Sequence, residues 1–143
     1  MKQQLTKTTT FFLFSCISIA LICFLFPVKL NAAHYEINLS ISDDLNASGR
    51  GYSFNTNTLT FSNGANIHTY TFIQTGATTV RFINFQTGVA TTVTLNGINI
   101  NPMYMTLQGN AQLNLLLSGT NTANGMIAVV DPAKLTIDNA PGS

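Results

Sequence analysis

Apolar pairs separated by a single polar residue recur along this chain at nearly constant spacing, and that recurrence restricts the fold more than any other feature. One column comprises Tyr70/Phe72, Val93/Leu95, Leu113/Leu115 and Leu135/Ile137; an interleaved one comprises Leu59/Phe61, Ile83/Phe85, Met105/Leu107 and Ile127/Val129. By subtraction of residue numbers, successive steps are 23, 20 and 22 residues in the first column and 24, 22 and 22 in the second. Periods near 20 residues belong to stacked coils. Within each pair the middle residue faces water, because successive side chains of a strand point to opposite faces. The expectation is an all-β, single-domain parallel β-helix (a β-solenoid) with about 20 to 24 residues per coil.

Beyond residue 33 no stretch carries the 3.6-residue period of a helix, and turn residues recur every 8 to 12 positions. Tyr35 to Ile41 alternates and then meets Ser42-Asp43-Asp44-Leu45-Asn46, a strand followed by a turn. Gly49 and Gly51 bracket Arg50 ahead of a second alternating run, Tyr52-Ser53-Phe54. Residues 34–58 are therefore expected as an N-terminal β cap, which a stack of coils requires at its ends, and residues 59–143 as the coils. The strand Leu135-Thr136-Ile137 is soon followed by Ala140-Pro141-Gly142-Ser143, with no second cap in the sequence. The coils thus read as a C-terminally incomplete fragment of a surface protein, and their final edge invites end-to-end self-association.

Residues 1–33 have the layout of a signal peptide. Lys2 and Lys7 precede the apolar run Phe11 to Phe26, and cleavage is expected near Ala33, although Asn31 is a poor residue for the −3 position. At 16 residues the run is shorter than the roughly 20 that span a bilayer. The expectation is an exported protein, secreted or held at the cell surface, whose membrane contact is confined to this segment. Cys16 and Cys23 both lie inside it, so no disulfide or thiol chemistry is expected in the remainder.

From residue 34 onward, Arg50, Arg81 and Lys134 oppose Glu36, Asp43, Asp44, Asp131 and Asp138, a net charge of −2. Three dispersed cations are not the electrostatic footprint of a nucleic-acid binder. Solvation falls instead to Thr and Asn, the former well suited to an exposed strand. His34 and His68 have no acidic or cysteine partner at ligand spacing, so no metal is expected. Glycines lie about one to a turn and never open a helix, so no nucleotide cofactor is expected either.

The runs Thr92-Val93-Thr94-Leu95-Asn96-Gly97-Ile98-Asn99-Ile100, Leu107 to Asn121 and Ile127 to Asp138 are similar to bacterial cell-surface β-helix domains labelled carbohydrate-binding, and Gly51 to Phe54 with Leu59 to Phe61 resembles the opening strands of that family. The resemblance covers roughly residues 50–143. It implies a right-handed parallel β-helix exported to the envelope, an adhesive or glycan-binding role toward envelope or host surfaces, and no catalytic set.

The acids do not converge along the sequence, and the chain reads as a non-enzyme; Asp138 and Asp131 are expected to cap turns. Candidate ligand-binding residues are the outward middle column of the first ladder, Thr71, Thr94, Asn114 and Thr136, a row suited to the repeated hydroxyls of a glycan. Tyr104 and Tyr52 are the expected exposed rings. The neighbouring column, Thr69, Thr92, Gln112 and Lys134, breaks the regularity, which counts against an ice-binding face. Two alternatives stand beside this reading. A polysaccharide lyase or hydrolase would need acids on neighbouring coils, and a structural envelope module would need no binding surface at all.

Overall fold

The structure, a computed structural model, describes residues 32–142. The leader expected over residues 1–33 lies outside them apart from its last two positions. The elements, in order, are β1 (Ala33–Asn38), α1 (Ser42–Leu45), β2 (Tyr52–Asn55), β3 (Thr58–Phe61), a 3₁₀ turn (Asn63–Ile67), β4 (His68–Ile73), β5 (Phe82–Phe85), β6 (Ala90–Asn96), β7 (Asn99–Leu107), β8 (Gln112–Ser118), β9 (Thr122–Val129) and β10 (Lys134–Asn139). From β3 onward consecutive strands alternate between two sheets. Sheet A has the order β1-β4-β6-β8-β10 and sheet B the order β2-β3-β5-β7-β9. All neighbours are parallel except β2 and β3. The chain is an all-β parallel β-solenoid of about four turns with about 22 residues per turn.

The inward residues of the two sheets meet in the interior. Phe61 of β3 lies edge-on to Tyr70 of β4 at 4.9 Å and 72°, and stacks on Phe85 of β5 at 4.9 Å and 14°. The hydroxyl of Tyr70 donates to the Arg50 carbonyl at 2.6 Å and that of Tyr52 to the Asp44 carbonyl, so both polar tips are satisfied. Burial pushes the phenols of Tyr70 and Tyr52 above their ordinary range. Among the described residues no buried side-chain nitrogen or oxygen lacks a partner.

Sheet B carries the expected ladder: Leu59, Ile83, Met105 and Ile127 stack, as do Phe61, Phe85, Leu107 and Val129. Sheet A differs at one step. β8 aligns Leu115 with Val93 and Leu117 with Leu95, leaving Leu113 beside Thr91. The column therefore runs Tyr70, Val93, Leu115, Ile137, with steps of 23, 22 and 22. The 20-residue step in the expected column arose because β8 offers three alternating leucines, and a slip of two residues leaves every side chain on its own face.

A third inward column occupies one corner of the coil. Ser62–Ala65, Gln86–Val89, Gln108–Ala111 and Val130–Ala133 each close a turn, the fourth residue's N–H donating to the first residue's carbonyl at 2.8, 3.1, 3.1 and 2.9 Å. Ala65, Val89 and Ala111 are fully buried there. An apolar residue thus fills this corner on each of these coils.

The two ends differ. β1 pairs in parallel with β4 as the first rung of sheet A, and the step of 35 from Tyr35 to Tyr70 exceeds one coil because α1 and β2 precede β3 and the 3₁₀ turn. Leu39 and Leu45 cover the interior at this end, where Ile37 is fully buried, and β2 covers the edge of sheet B by pairing antiparallel with β3. Gly51 is required in this cap: its φ is +76°, and a Cβ would lie 2.4 Å from the backbone nitrogen of Ala65. At the other end β9 and β10 are the edge strands of both sheets. Ile127, Val129 and Ile137 continue the inward columns yet are 38, 44 and 52 % exposed, against 1, 0 and 2 % for Met105, Leu107 and Leu115 one coil earlier.

Candidate functional site

Parallel in-register strands about 4.8 Å apart set outward side chains into rows that cross the rungs. On sheet A one row is His34, Thr69, Thr92, Asn114 and Thr136. The next is Glu36, Thr71, Thr94, Leu116 and Asp138. The expected column therefore divides at the same step as the ladder beneath it: Thr71 and Thr94 share a row, while Asn114 and Thr136 sit together two residues over. The column expected to be irregular resolves as well, since Thr69 and Thr92 join Asn114 and Thr136, whereas Gln112 and Lys134 follow Ala90. The corrected row is polar on all five rungs.

Between the Thr92-Asn114-Thr136 row and the Ala90-Gln112-Lys134 row lies a trough of about 340 Å³, which Thr91 and Leu113 also line. Asn114, Gln112, Lys134 and Thr136 are exposed. Each carboxamide offers two donors and an acceptor, each hydroxyl a donor and an acceptor, and Lys134 three donors. Further along, His34 Nδ1 lies 2.9 Å from Thr69 Oγ1 and Nε2 lies 3.2 Å from Thr71 Oγ1, so both hydroxyls are engaged within the protein.

Tyr104 lies on the opposite sheet. It is half-buried and stacks on Phe82 at 5.4 Å and 19°, in the outward row Thr58, Phe82, Tyr104, Met126, beside Thr60, Asn84 and Thr106. Phe82 is 40 % exposed. Hydropathy hides an outward Phe, although a period of two counted from Ile83 would have found it. Tyr52, the other expected exposed ring, is buried in the cap.

Glu36 and Asp138 share a row but stand four strand spacings apart, about 19 Å, well beyond the separation of a glycosidase carboxyl pair. Two carboxylates serve nearby backbone: Asp44 Oδ2 accepts the Asn38 N–H at 3.0 Å, and Asp138 Oδ1 accepts the Asn139 N–H at 2.8 Å. Asp138 lies within β10 opposite Leu116 rather than at the turn position of Asn96, which aligns with Ser118. Among the described residues no group of three or more His, Cys, Asp or Glu could hold a metal ion.

Compared with known proteins, the chain matches no protein-family model, no curated protein and no solved structure, and what identifies it is its architecture, a parallel β-solenoid of about four turns.

Proposed function

We propose that this protein is an exported, non-catalytic module that binds glycans of an envelope or host surface along the outer face of sheet A. The observation that carries the reading is the trough of about 340 Å³ in which Thr92, Asn114 and Thr136 fall in one row with Gln112 and Lys134 alongside. Sugar hydroxyls both donate and accept, and carboxamides and hydroxyls answer both roles. The trough has the volume of a small ligand site, and it lies on a row that crosses every rung. That shape suits one or two units of a linear saccharide lying across the strands. The resemblance of Thr92 to Ile100 and Leu107 to Asn121 to carbohydrate-binding β-helix domains supports the same assignment, and the leader over residues 1–33 supplies the route to the surface.

A glycan-array screen of the purified protein tests the reading, with the double variant Asn114→Ala/Thr136→Ala and the single variant Tyr104→Ala alongside, each first checked for a β-rich circular dichroism spectrum. The double variant should weaken binding roughly tenfold or more, about 1.4 kcal/mol, and Tyr104→Ala should leave it intact. Loss in Tyr104→Ala alone would move the site to sheet B. A folded protein that binds no glycan would refute the function.

A further inference from the structure

We propose that the open end of the solenoid is a self-association surface on which two copies meet tail to tail, β10 antiparallel to the partner's β10 in a register centred on Thr136. Lys134 of each copy then faces the partner's Asp138. This goes beyond the glycan-binding reading, with which it shares Lys134 and Thr136 at the margin of the trough.

Three observations lead to this arrangement. First, Ile127, Val129 and Ile137 occupy inward positions but keep 38, 44 and 52 % of their surface exposed, while among the described residues both strands that carry them are sheet edges. An apolar end flanked by two unpaired edges is a template for another chain. Second, the other end of the molecule does not complement it. There β1 and β2 are edge strands as well, but Leu39, Leu45 and Tyr52 are buried, so no apolar surface is offered. A head-to-tail stack would set an apolar end on a finished cap, whereas a tail-to-tail pair sets like against like and closes after two copies.

The third observation is the charge pattern of β10. In an antiparallel pair, residues directly opposite point to the same face, so Leu135 and Ile137 stay inward only if the strand's own two-fold passes through a residue. Centred on Thr136, that axis sets Leu135 opposite Ile137 and Lys134 opposite Asp138, twice over. Centred on either neighbour, it sets Thr136 against one of the charges and leaves the other unpaired. A parallel approach in register would set Lys134 beside Lys134. Asp138 uses Oδ1 on the Asn139 N–H and retains Oδ2 for the ammonium.

Sedimentation velocity of the protein over a range of concentrations provides the test. A species of twice the chain mass is expected, less populated at about 1 M salt, where the screening length falls to about 3 Å. Lys134→Asp and Asp138→Lys, each β-rich by circular dichroism, should both be monomeric. Mixed in equal amounts they should regain the doubled mass, since one copy then presents two acids and the other two lysines; so should the double reversal on one chain. A folded protein that stays monomeric at every concentration would overturn the proposal by showing the end covered some other way. Assemblies larger than two would overturn the two-fold, and single variants that keep the doubled mass would overturn the register.

Discussion

At the N-terminal end of the solenoid Ile37 and Leu39 are fully buried, whereas at the C-terminal end Ile127, Val129 and Ile137 hold the same kind of inward position and stay 38, 44 and 52 % exposed. Strand chemistry does not explain the contrast, since both ends are alternating strands in parallel register. The difference is the cover. Residues 39–55 lay a turn of helix and an antiparallel strand over the first rung, and nothing equivalent lies over the last among the described residues. Inward orientation thus gives a residue the opportunity to leave water, and burial depends on what lies beyond the rung.

The largest expected effect comes from truncating the same residue type at each end. Ile37→Ala should cost about 2 to 5 kcal/mol in denaturant unfolding, while Ile137→Ala, measured dilute enough to keep the chain monomeric, should cost less than about 1 kcal/mol. Equal costs would show that the two ends are covered alike. Glycines at the two ends differ in the same sense. Gly51 and Gly142 have φ of +76° and +80°, but a Cβ meets the Ala65 backbone at Gly51 and open space at Gly142. Gly142→Ala should cost about 1 kcal/mol of left-handed strain, and Gly51→Ala about 3 kcal/mol because backbone must move.

A smaller effect is expected at the corner of the last coils. Asn121 Nδ2 donates to the carbonyls of Leu95 and Ser118 at 3.2 and 2.9 Å, and Oδ1 accepts the Ile98 N–H at 2.9 Å. Asn121→Ala leaves that half-buried backbone unanswered and should lower stability by about 1 to 3 kcal/mol. Smallest is a pH effect confined to the covered end. Tyr70 and Tyr52 have phenols raised above 10.0 by burial, so the folded state holds their protons more tightly than the unfolded state. Their contribution is complete below pH 10 and is lost as pH rises from 10 through the raised values. Urea midpoints should therefore fall above pH 10, and Tyr70→Phe should flatten that fall at a cost near 1 kcal/mol for the bond to the Arg50 carbonyl.

Much of the fold was legible because period-two alternation at a coil-length repeat has few other solutions. Leu59/Phe61 through Ile127/Val129 stack as their spacing requires. Sheet A was less legible for a definite reason. Leu113, Leu115 and Leu117 offer two equivalent continuations, and burial of a face cannot distinguish slips of two residues. That ambiguity also divided the expected site, because the outward row inherits the register of the ladder beneath it. The corner column Ala65, Val89, Ala111 was invisible to hydropathy, since small residues in turns carry no periodic signal of their own. Tyr52 was misplaced because a ring beside a glycine turn looks exposed until the cap folds over it.

The contrast between a covered and an open end is tested most directly by amide hydrogen exchange, read strand by strand at a concentration too low for dimers. Amides of β4 and β6 should exchange slowest, near the rate of global opening, while those of β9 and β10 should exchange orders of magnitude faster through local fraying. Raising the concentration should slow β9 and β10 and leave β4 unchanged. Protection at β10 that already equals that of β4 in the dilute chain would contradict the account, since the last rung would then be covered without a partner.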